Sequence, residues 1–480
     1  MDQHVASGGA VAAAHPAAVQ AALDTYGRGG TAVDAAIAAQ AVITVVMPEA
    51  AGLGGDMLAL VHRNGEPLTA ISGIGSTPAA APERWLTDGG SSVTVPGLVN
   101  GWFALHERGA RLPMSALLER AVTLARSSPV EDSLLETVGA HARRMRQYGA
   151  SAWPLLWLRP GDDWRQPRLA AALEAIGSDG PDAFYTGDSA AAIVAAVAAT
   201  GGSLSAADLA ENRAQVASPV TVPWGSGLLA VQPPPSQGVL LAMCAEWLQA
   251  QSDAPTDHIL IELLEAVFAS RSQAASRGRE LLGQTLAVDP ERASLRGGPR
   301  AYLHTAGVAT VDREGTVVSS LVSVFDDFGS GVYVPELGIV LNNRAGGFTD
   351  GDNAPAPSAF PVHTLAPSML IDDSGRAVAL ATPGADGQIQ TLLQVLAAHR
   401  YHRASWSEAV QRPRWRGQSG EILVESRHPA IADLDRRGHR VVPTPDAADV
   451  FGGVVIAGLG ADGPFAVADP RRNVRSGETV

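Results

Sequence analysis

The sequence of 480 residues has almost no cysteine and no apolar run of membrane-spanning length. It has no lysine and a single cysteine, Cys244, which excludes an intrachain disulfide and leaves a zinc cage without thiolates. Cys244 lies in an apolar run and is predicted to be a small buried hydrophobe. No segment reaches the roughly 18 uncharged apolar residues of a membrane helix, and the first residues show no signal-peptide pattern. We therefore expect a soluble cytoplasmic protein.

The composition describes an acidic globular chain. Apolar residues make up 46% of the sequence and charged residues 18%, which suits a substantial core and argues against disorder. The formal net charge is -14, and no run of arginines forms a basic patch. We therefore expect neither a nucleic-acid partner nor an anionic membrane partner. No residue cluster in the sequence indicates a metal or an organic cofactor.

Helical patterns dominate the first two thirds of the chain. The segment from Thr31 to about Val46 begins with TAVD, which resembles a capping box, and predicts a buried helix. Residues 188–200 predict a second Ala-rich helix, and residues 256–279 have the spacing of a longer amphipathic helix. The sequence VQPPPSQG at 231–238 predicts a rigid extended turn.

Strand patterns follow, beginning near Thr305. Two β-branched runs, 308–312 and 316–325, are separated by Arg-Glu-Gly and predict a hairpin with Thr305 at its entrance. Residues 283–300 are rich in Gly, Pro and charge and predict an exposed segment that leads to Thr305. Shorter elements are predicted further on: strands at 338–343 and 377–381 and a helix at 388–399.

A threonine at a strand start is ordinarily a β-former, so the case for Thr305 depends on its neighbourhood. Residues 305–319, TAGVATVDREGTVVS, with FGSG at 328–331 and LNNR at 341–344, resemble the γ-glutamyltranspeptidase family around its nucleophile. Ordered matches along nearly the whole chain are more specific than any one glycine-rich loop. Five further motifs match that family in order: GGTAVDAA at 29–36, GLGGD at 52–56, VPG at 95–97, PPPSQG at 233–238 and TPGADGQ at 382–388.

The resemblance implies an α+β fold, the four-layer αββα sandwich of N-terminal-nucleophile (Ntn) hydrolases. Such proteins are made as a precursor and cut into two subunits that stay together. Here the cut would fall between His304 and Thr305, giving a large subunit of residues 1–304 and a small subunit of residues 305–480. Further dimerisation of the cut protomer stays open.

The chemistry that the resemblance implies is self-consistent. Thr305 Oγ attacks the carbonyl of His304, the amide becomes an ester with a new α-amino group on Thr305, and water then hydrolyses the ester. That amine has a reference pKa of about 8 and can act as the base for its own hydroxyl. The resemblance implies that the backbone N–H groups of Gly384 and Ala385 form the oxyanion hole, and that Ser323, a threonine in the family, supports the nucleophile.

The groups that hold a γ-glutamyl head in true transpeptidases are largely missing. Residues 71–78, ISGIGSTP, lack the family's large-subunit arginine, and Phe325 stands at the place of an asparagine. Arg344-Ala-Gly-Gly replaces an acidic stretch, and His363-Thr364 replaces a Ser-Ser pair. The sequence is more similar to the branch containing cephalosporin acylase-like proteins and oxamate amidohydrolases. Phe325, Arg344, His363 and Thr364 are therefore the candidate substrate-binding residues.

Alternatives remain open for several of these positions. Arg344 would bind a substrate carboxylate or form a structural ion pair with Asp326 or Asp327. His363 would contact substrate or be a buried structural histidine. The family motifs also include Asp34, Asp56 and Pro96, but caps, tight turns and subunit packing explain these three residues without a catalytic role.

The predicted function is hydrolysis of an amide in a small carboxylate-bearing substrate, with release of an amine or ammonia. One alternative is a C–C bond hydrolase that acts beside a carbonyl in making alkylproline units of antibiotics. A γ-glutamyltransferase or hydrolase is a second alternative. An unprocessed, non-catalytic binding scaffold is a third, favoured by Ala306 and Gly307 beside the nucleophile.

Overall fold

The structure is a computed structural model, and it describes residues 8–294 and 305–479. Among these residues, no helix combines the length and the apolar character needed to cross a membrane. Cys244 is buried, as predicted. His304, the predicted cleavage-site residue, and residues 295–300 of the predicted exposed segment lie outside the described residues.

Strands from both parts of the chain build the centre of the molecule. In chain order they are β1 (Gly9–Ala13), β2 (Asp56–His62), β3 (Thr69–Gly73), β4 (Ser128–Pro129), β5 (Asp163–Trp164), β6 (Gln215–Ala217), β7 (Val220–Trp224), β8 (Gly227–Val231), β9 (Ala306–Asp312), β10 (Val317–Ser323), β11 (Tyr333–Val334), β12 (Ile339–Val340), β13 (Ser368–Ile371), β14 (Ala377–Ala381), β15 (Trp415–Gln418), β16 (Glu421–Glu425), β17 (Val441–Thr444), β18 (Val455–Leu459), β19 (Pro464–Ala468) and β20 (Arg475–Glu478).

Helices cover the strands on both sides. In chain order they are α1 (Pro16–Gly27), α2 (Ala32–Val46), α3 (Leu98–His106), α4 (Met114–Arg126), α5 (Asp132–Gln147), α6 (Pro167–Asp179), α7 (Asp182–Tyr185), α8 (Gly187–Ala199), α9 (Ala206–Glu211), α10 (Gly238–Gln249), α11 (Asp257–Phe268), α12 (Gly387–Tyr401), α13 (Trp406–Gln411) and α14 (Ile431–Arg436).

Two antiparallel sheets contain most of the strands. The first has the order β20-β1-β9-β10-β2-β3-β6, and the second has the order β19-β18-β14-β13-β8-β7. Each sheet contains strands from before residue 294 and strands from after residue 305. The two parts of the chain therefore form one body rather than separate domains.

The core is layered because neighbouring residues of a strand point to opposite faces of its sheet. Leu58 and Leu60 of β2 belong to an apolar cluster between the sheets, together with Met369 and Val455 of the second sheet. Met57, between them in the chain, belongs to a second cluster that includes residues of α1, α2 and α4. A third cluster joins the outer face of the second sheet to α10, α11 and α12. The layers are helix, sheet, sheet, helix, and the predicted αββα fold is confirmed.

Several predicted elements are present with nearly the predicted bounds. The TAVD capping box opens α2, where Thr31 N donates to Asp34 Oδ2 at 2.7 Å and Asp34 N donates to Thr31 Oγ1 at 3.4 Å. The predicted hairpin is the antiparallel pair β9–β10. The helices predicted at 188–200 and 388–399 correspond to α8 and α12.

The helix predicted over 256–279 is wrong in its second half. Helix α11 ends at Phe268, and the chain continues in 3₁₀ turns at Arg271–Ala275 and Gly278–Leu281. Arg271 leaves the helical path to form an ion pair with Asp386, with 2.8 Å between Nη2 and Oδ1. A tertiary contact thus overrides a helical spacing that continues in the sequence.

Candidate active site

Thr305 lies directly before β9 and is buried, with 4% of its surface exposed. The antiparallel pairing of β9 with β10 places Ala306 opposite Val322, so the end of β10 lies beside Thr305. Thr305 Oγ1 is 3.2 Å from Ser323 Oγ. The two hydroxyls that the sequence predicted as nucleophile and support are therefore in hydrogen-bond contact.

Ser323 also holds the chain where it leaves β10. Phe325 N donates a hydrogen bond to Ser323 Oγ at 2.9 Å, and Phe325 has a φ of 84°, which non-glycine residues rarely adopt. Such a conformation costs on the order of 1–3 kcal/mol and persists only where its surroundings hold it. The ring of Phe325 packs against the guanidinium of Arg344, with 4.4 Å from Cζ to the ring centroid. The turn therefore carries the ring of Phe325 from the neighbourhood of Thr305 to Arg344.

Arg344 is buried and pairs with an aspartate that the sequence did not predict. Its Nε donates to Asp56 Oδ2 at 3.1 Å, so the structural ion pair that the sequence left open as an alternative is formed, with Asp56 rather than with Asp326 or Asp327. Asp56 opens β2 and lies opposite Ser323 in the register of β2 and β10, which places it below the site. Asp326 instead accepts a hydrogen bond from Asn343 Nδ2 at 2.8 Å. Burial lowers the pKa of Arg344, and the charge of Asp56 opposes this shift.

His363 lies against the same carboxylate and is neutral. Leu365 N donates to His363 Nδ1 at 3.3 Å, so the proton of the neutral ring is on Nε2, which donates to Asp56 Oδ2 at 3.2 Å. Burial, with the nearby charge of Arg344, lowers the pKa of His363 to about 4. Thr364, the next residue, accepts a hydrogen bond from Arg344 Nη1 at 3.2 Å.

The polar atoms of this group are not all satisfied. Arg344 Nη2 and Asp56 Oδ1 are buried, and neither has a hydrogen-bond partner among the described residues. A buried donor without a partner is costly, by about 1–3 kcal/mol, and demands an explanation. A ligand that supplies an acceptor to Arg344 Nη2 would remove that cost.

Gly384 and Ala385 form the turn between β14 and α12. Their φ angles are 124° and 49°, so Ala385 adopts the left-handed conformation that an alanine accepts at a cost of about 1–2 kcal/mol. Their carbonyls accept hydrogen bonds, from Gly387 N at 2.8 Å and from Gln388 N at 3.1 Å respectively. Their own N–H groups donate to no acceptor within residues 8–294 and 305–479. Two backbone donors are thus available at the positive end of a helix.

Gln237 connects this turn to the arginine group. Its Nε2 donates to Ala385 O at 3.0 Å and to Thr364 O at 2.7 Å. Gly307 of β9 lies next to Ala381 at the end of β14: a Cβ atom at position 307 would be 3.6 Å from the Cβ of Ala381. The end of β14 that leads to Ala385 is therefore adjacent to the start of β9. One chain of contacts therefore joins five predicted site residues directly: Thr305, Ser323, Phe325, Arg344 and Thr364. Ala385 is attached to it through Gln237, and His363 through Asp56.

Asp56 and Gln237 belong to this site although they were not predicted as parts of it. Both stand in motifs that match the family, GLGGD and PPPSQG, so a signal was present. Both residues follow turn-forming neighbours in the sequence, so they read as parts of turns. Only the register of β2 with β10 shows what Asp56 contacts, and only the folded proline-rich turn shows what Gln237 contacts. Within the described residues, the one grouping with metal-ligating geometry, His258, Glu262 and His439, lies outside this network.

A buried threonine directly before a central strand of an αββα sandwich, in contact with a second hydroxyl, is the arrangement expected of an Ntn hydrolase. Residues 18–478 match the family described as gamma-glutamyltranspeptidase, so the chain belongs to that family and is an Ntn-type hydrolase.

Relatives place the chain near the acylase branch of the family, as predicted. It is 32% identical to the oxamate amidohydrolase proenzyme of Klebsiella pneumoniae, over 94% of each chain. It is 29% identical to the acylase ACY 1 proenzyme of Pseudomonas sp. strain SE83, over 96% of this chain and 92% of that one. The crystal structure of a cephalosporin acylase from Bacillus halodurans superposes with a TM-score of 0.86 at 27% identity, over 98% of this chain and 96% of that one.

Proposed function

We propose that the chain cuts itself between His304 and Thr305 and then uses Thr305 to hydrolyse an amide in a small carboxylate-bearing substrate. The contact between Thr305 Oγ1 and Ser323 Oγ, 3.2 Å apart inside the sandwich, carries the proposal. A threonine that served only as a β-former would not need a hydroxyl partner that also fixes a strained turn. The relatives named as proenzymes support the cut.

The cut chain would be residues 1–304 and 305–480, held together because both parts supply strands to each sheet. In the first step Thr305 Oγ1 attacks the carbonyl carbon of His304, and the acyl group moves from nitrogen to oxygen. This shift breaks the C–N bond and leaves the α-amino group of Thr305 free. Water then hydrolyses the ester, which frees the carboxylate of His304 and restores the hydroxyl of Thr305. That amine is close enough to its own hydroxyl to serve as its base.

The second reaction uses the same oxygen on a substrate amide. Thr305 Oγ1 attacks the amide carbon while its α-amino group takes the proton, and the N–H groups of Gly384 and Ala385 receive the oxyanion. The C–N bond breaks, the leaving nitrogen takes the proton from the ammonium, and an ester remains on Thr305. Water hydrolyses this ester and returns the free enzyme with a carboxylic acid product.

Arg344 supports a substrate with a carboxylate. Its charge is retained by the ion pair with Asp56, and its Nη2 has no partner among the described residues. A carboxylate oxygen is the acceptor that a guanidinium binds best. Oxamate, the compound named for the Klebsiella pneumoniae relative, is a small amide with such a group. His363, neutral and bonded to Asp56, adds no second positive charge.

Intact mass spectrometry of freshly purified protein tests the first half of the proposal. We expect two fragments from the wild type and from Thr305→Ser, the smaller beginning at position 305, and one full-length chain from Thr305→Ala. An uncut wild-type chain, or a cut at another bond, would overturn the proposal in favour of a non-catalytic scaffold.

Release of ammonia or amine from a substrate panel tests the second half. The panel holds oxamate, longer dicarboxylic acid monoamides, N-acyl amino acids and glutathione with a dipeptide acceptor. We expect turnover of a carboxylate-bearing amide, abolished in Thr305→Ala. Preferred transfer from glutathione to the dipeptide would replace this proposal with γ-glutamyl transfer.

A further inference from the structure

His258, Glu262 and His439 form a buried cluster outside the network around Thr305. His258 and Glu262 lie one turn apart on α11 and so share a face of that helix, and His439 lies two residues before β17. The exposed fractions of the three residues are 0%, 0% and 5%. His258 Nδ1 is 2.8 Å from His439 Nε2, and one nitrogen or oxygen of each residue lies within 4.8 Å of the others.

The proton on His258 is placed as in a metal-ligating histidine. Its Nε2 is 3.0 Å from the carbonyl oxygen of Asp289, which has no proton to give, so Nε2 carries the proton and donates. The lone pair is therefore on Nδ1, which accepts the proton of His439 Nε2 at 2.8 Å; an ion would take the place of that proton between the two nitrogens. Metal-bound histidines are held in this way, with the far nitrogen donating to a carbonyl or carboxylate.

Glu262 supplies an oxygen without a partner. Its Oε1 accepts a hydrogen bond from Ser294 N at 3.0 Å, whereas Oε2 is buried and accepts none from the residues the structure describes. A buried carboxylate oxygen without a donor is costly, and a cation is the partner that satisfies it best. This unpaired oxygen is independent of the contact between the histidines.

The surrounding charges permit a cation here. The positive charge of Arg437 would repel a metal ion at this site. Arg437 is, however, paired with Asp433, with 2.8 Å between Nε and Oδ2. Glu262 gives the set of three ligands one negative charge.

We propose that His258, Glu262 and His439 bind one divalent transition-metal ion of the zinc type as a structural site. Two imidazoles and a carboxylate are ligands that suit zinc. Tetrahedral ligation at about 2.0–2.1 Å sets the two nitrogens about 3.3 Å apart, so the rings would separate by about half an ångström. The site does not depend on self-cleavage and is tested without any assay of activity.

The position of the cluster gives the ion a structural effect. Residues 289–294 are held against it by the bonds of Asp289 O and Ser294 N, and this segment leads toward Thr305. His258 and Glu262 precede the proposed cut, and His439 follows it. An ion here would join the two subunits and hold residues 289–294 against α11.

Metal titration of the full-length protein after dialysis against a chelator tests the site. We expect one Zn²⁺ per chain by elemental analysis, a rise in Tm of about 3 °C at a hundredfold excess of Zn²⁺ over Kd, and a visible absorption band with Co²⁺. A wild-type protein that binds no Zn²⁺ and gives no Co²⁺ band would overturn the proposal.

Two variants separate this site from other histidines. Glu262→Gln retains the size of the side chain and the acceptor for Ser294 N but loses the charge, and we expect loss of the Tm rise and of the Co²⁺ band. His402→Ala removes an exposed histidine that is not part of the cluster, and this variant should retain both the Tm rise and the Co²⁺ band. Circular dichroism verifies that the variants are folded. Retention of the stoichiometric ion in folded Glu262→Gln would assign it elsewhere and overturn the site.

Discussion

Asp56 Oδ2 lies 3.1 Å from Arg344 Nε, in an ion pair whose side chains are 0% and 1% exposed respectively. The same oxygen accepts the Nε2 proton of His363 at 3.2 Å. One carboxylate therefore fixes both the cation and the imidazole beside Phe325. Because Asp56 belongs to a central strand, the orientation of Arg344 is determined by the sheet rather than by a surface loop.

Asp56→Asn should destabilise the protein strongly. The change leaves the buried guanidinium of Arg344 without its counter-charge, which typically costs about 3–5 kcal/mol when one partner of a buried pair is removed. Chemical unfolding of the Thr305→Ala form, which stays a single chain under the proposal, measures this change without the effect of cleavage.

Glu66→Gln, in the same background, is the matched control. Glu66 pairs with Arg63 at 2.6 Å, but these side chains are 54% and 38% exposed, and such pairs contribute at most about 1 kcal/mol. Equal losses for the two variants would show that the Asp56 pair is no stronger than a surface pair.

His363 should make stability depend on pH in a defined window. Its pKa falls from an ordinary 6.5 to about 4 in the folded protein, so between these values the unfolded chain binds a proton that the folded chain does not. The free energy of unfolding should therefore decrease as pH falls from about 6.5 to about 4, and His363 should contribute up to about 3 kcal/mol to this decrease. Below pH 4 His363 should cause no further decrease.

The comparison with His363→Gln isolates this effect, because His439 titrates in the same window. The variant should lose less stability than the wild type between pH 6.5 and 4 when unfolding is followed at each pH. Parallel curves for the two proteins would mean that His363 does not carry the dependence.

The sequence predicted the strands and helices best where period and caps agree, as in α2 and the β9–β10 hairpin. It failed after Phe268, because the ion pair of Arg271 with Asp386 joins residues more than a hundred positions apart and leaves no local pattern. Phe325, Arg344 and Thr364 were predicted from their places in family motifs. Their partners Asp56 and Gln237 were not, because the register of β2 with β10 and the fold of the proline-rich turn decide those contacts.

The same limit explains why the histidine cluster was not predicted. His258 and Glu262 have a spacing that any helix produces by chance, and His439 is far from them in sequence. Only the packing of α11 against the segment before β17 brings the three ligand atoms together. Polar contacts between residues far apart in the sequence could therefore be identified only from the structure.

Ser323→Ala should slow self-cleavage without preventing folding. It removes the hydroxyl that contacts Thr305 Oγ1 and leaves Phe325 N without its acceptor. Loss of one such partner costs about 1–3 kcal/mol, which, if it falls on the barrier to cleavage, corresponds to about 5- to 150-fold in rate. Ser323→Thr retains the hydroxyl and should cleave at a rate near that of the wild type, measured by the time course of fragment formation.

Ser319→Ala is the control on the same strand. Ser319 is as deeply buried, but its hydroxyl donates to Leu380 O at 2.8 Å instead of contacting the nucleophile. It should lose some stability and cleave normally. A slow Ser319→Ala, or a fast Ser323→Ala, would contradict the supporting role of Ser323.

Arg344→Lys should weaken binding of the substrate carboxylate more than it affects the chemical step. Lysine keeps the charge beside Asp56, but it lacks the planar fork that reaches both Thr364 Oγ1 and an acceptor at Nη2. We expect a rise in KM with kcat nearly unchanged, and a loss of about 10- to 100-fold in kcat/KM, equivalent to about 1.4–2.7 kcal/mol. The comparison of an amide that carries a carboxylate with its uncharged carboxamide analogue tests the assignment, because only the charged compound should lose kcat/KM in the variant. Equal losses for both compounds would show that Arg344 acts on the structure of the site and not on the carboxylate.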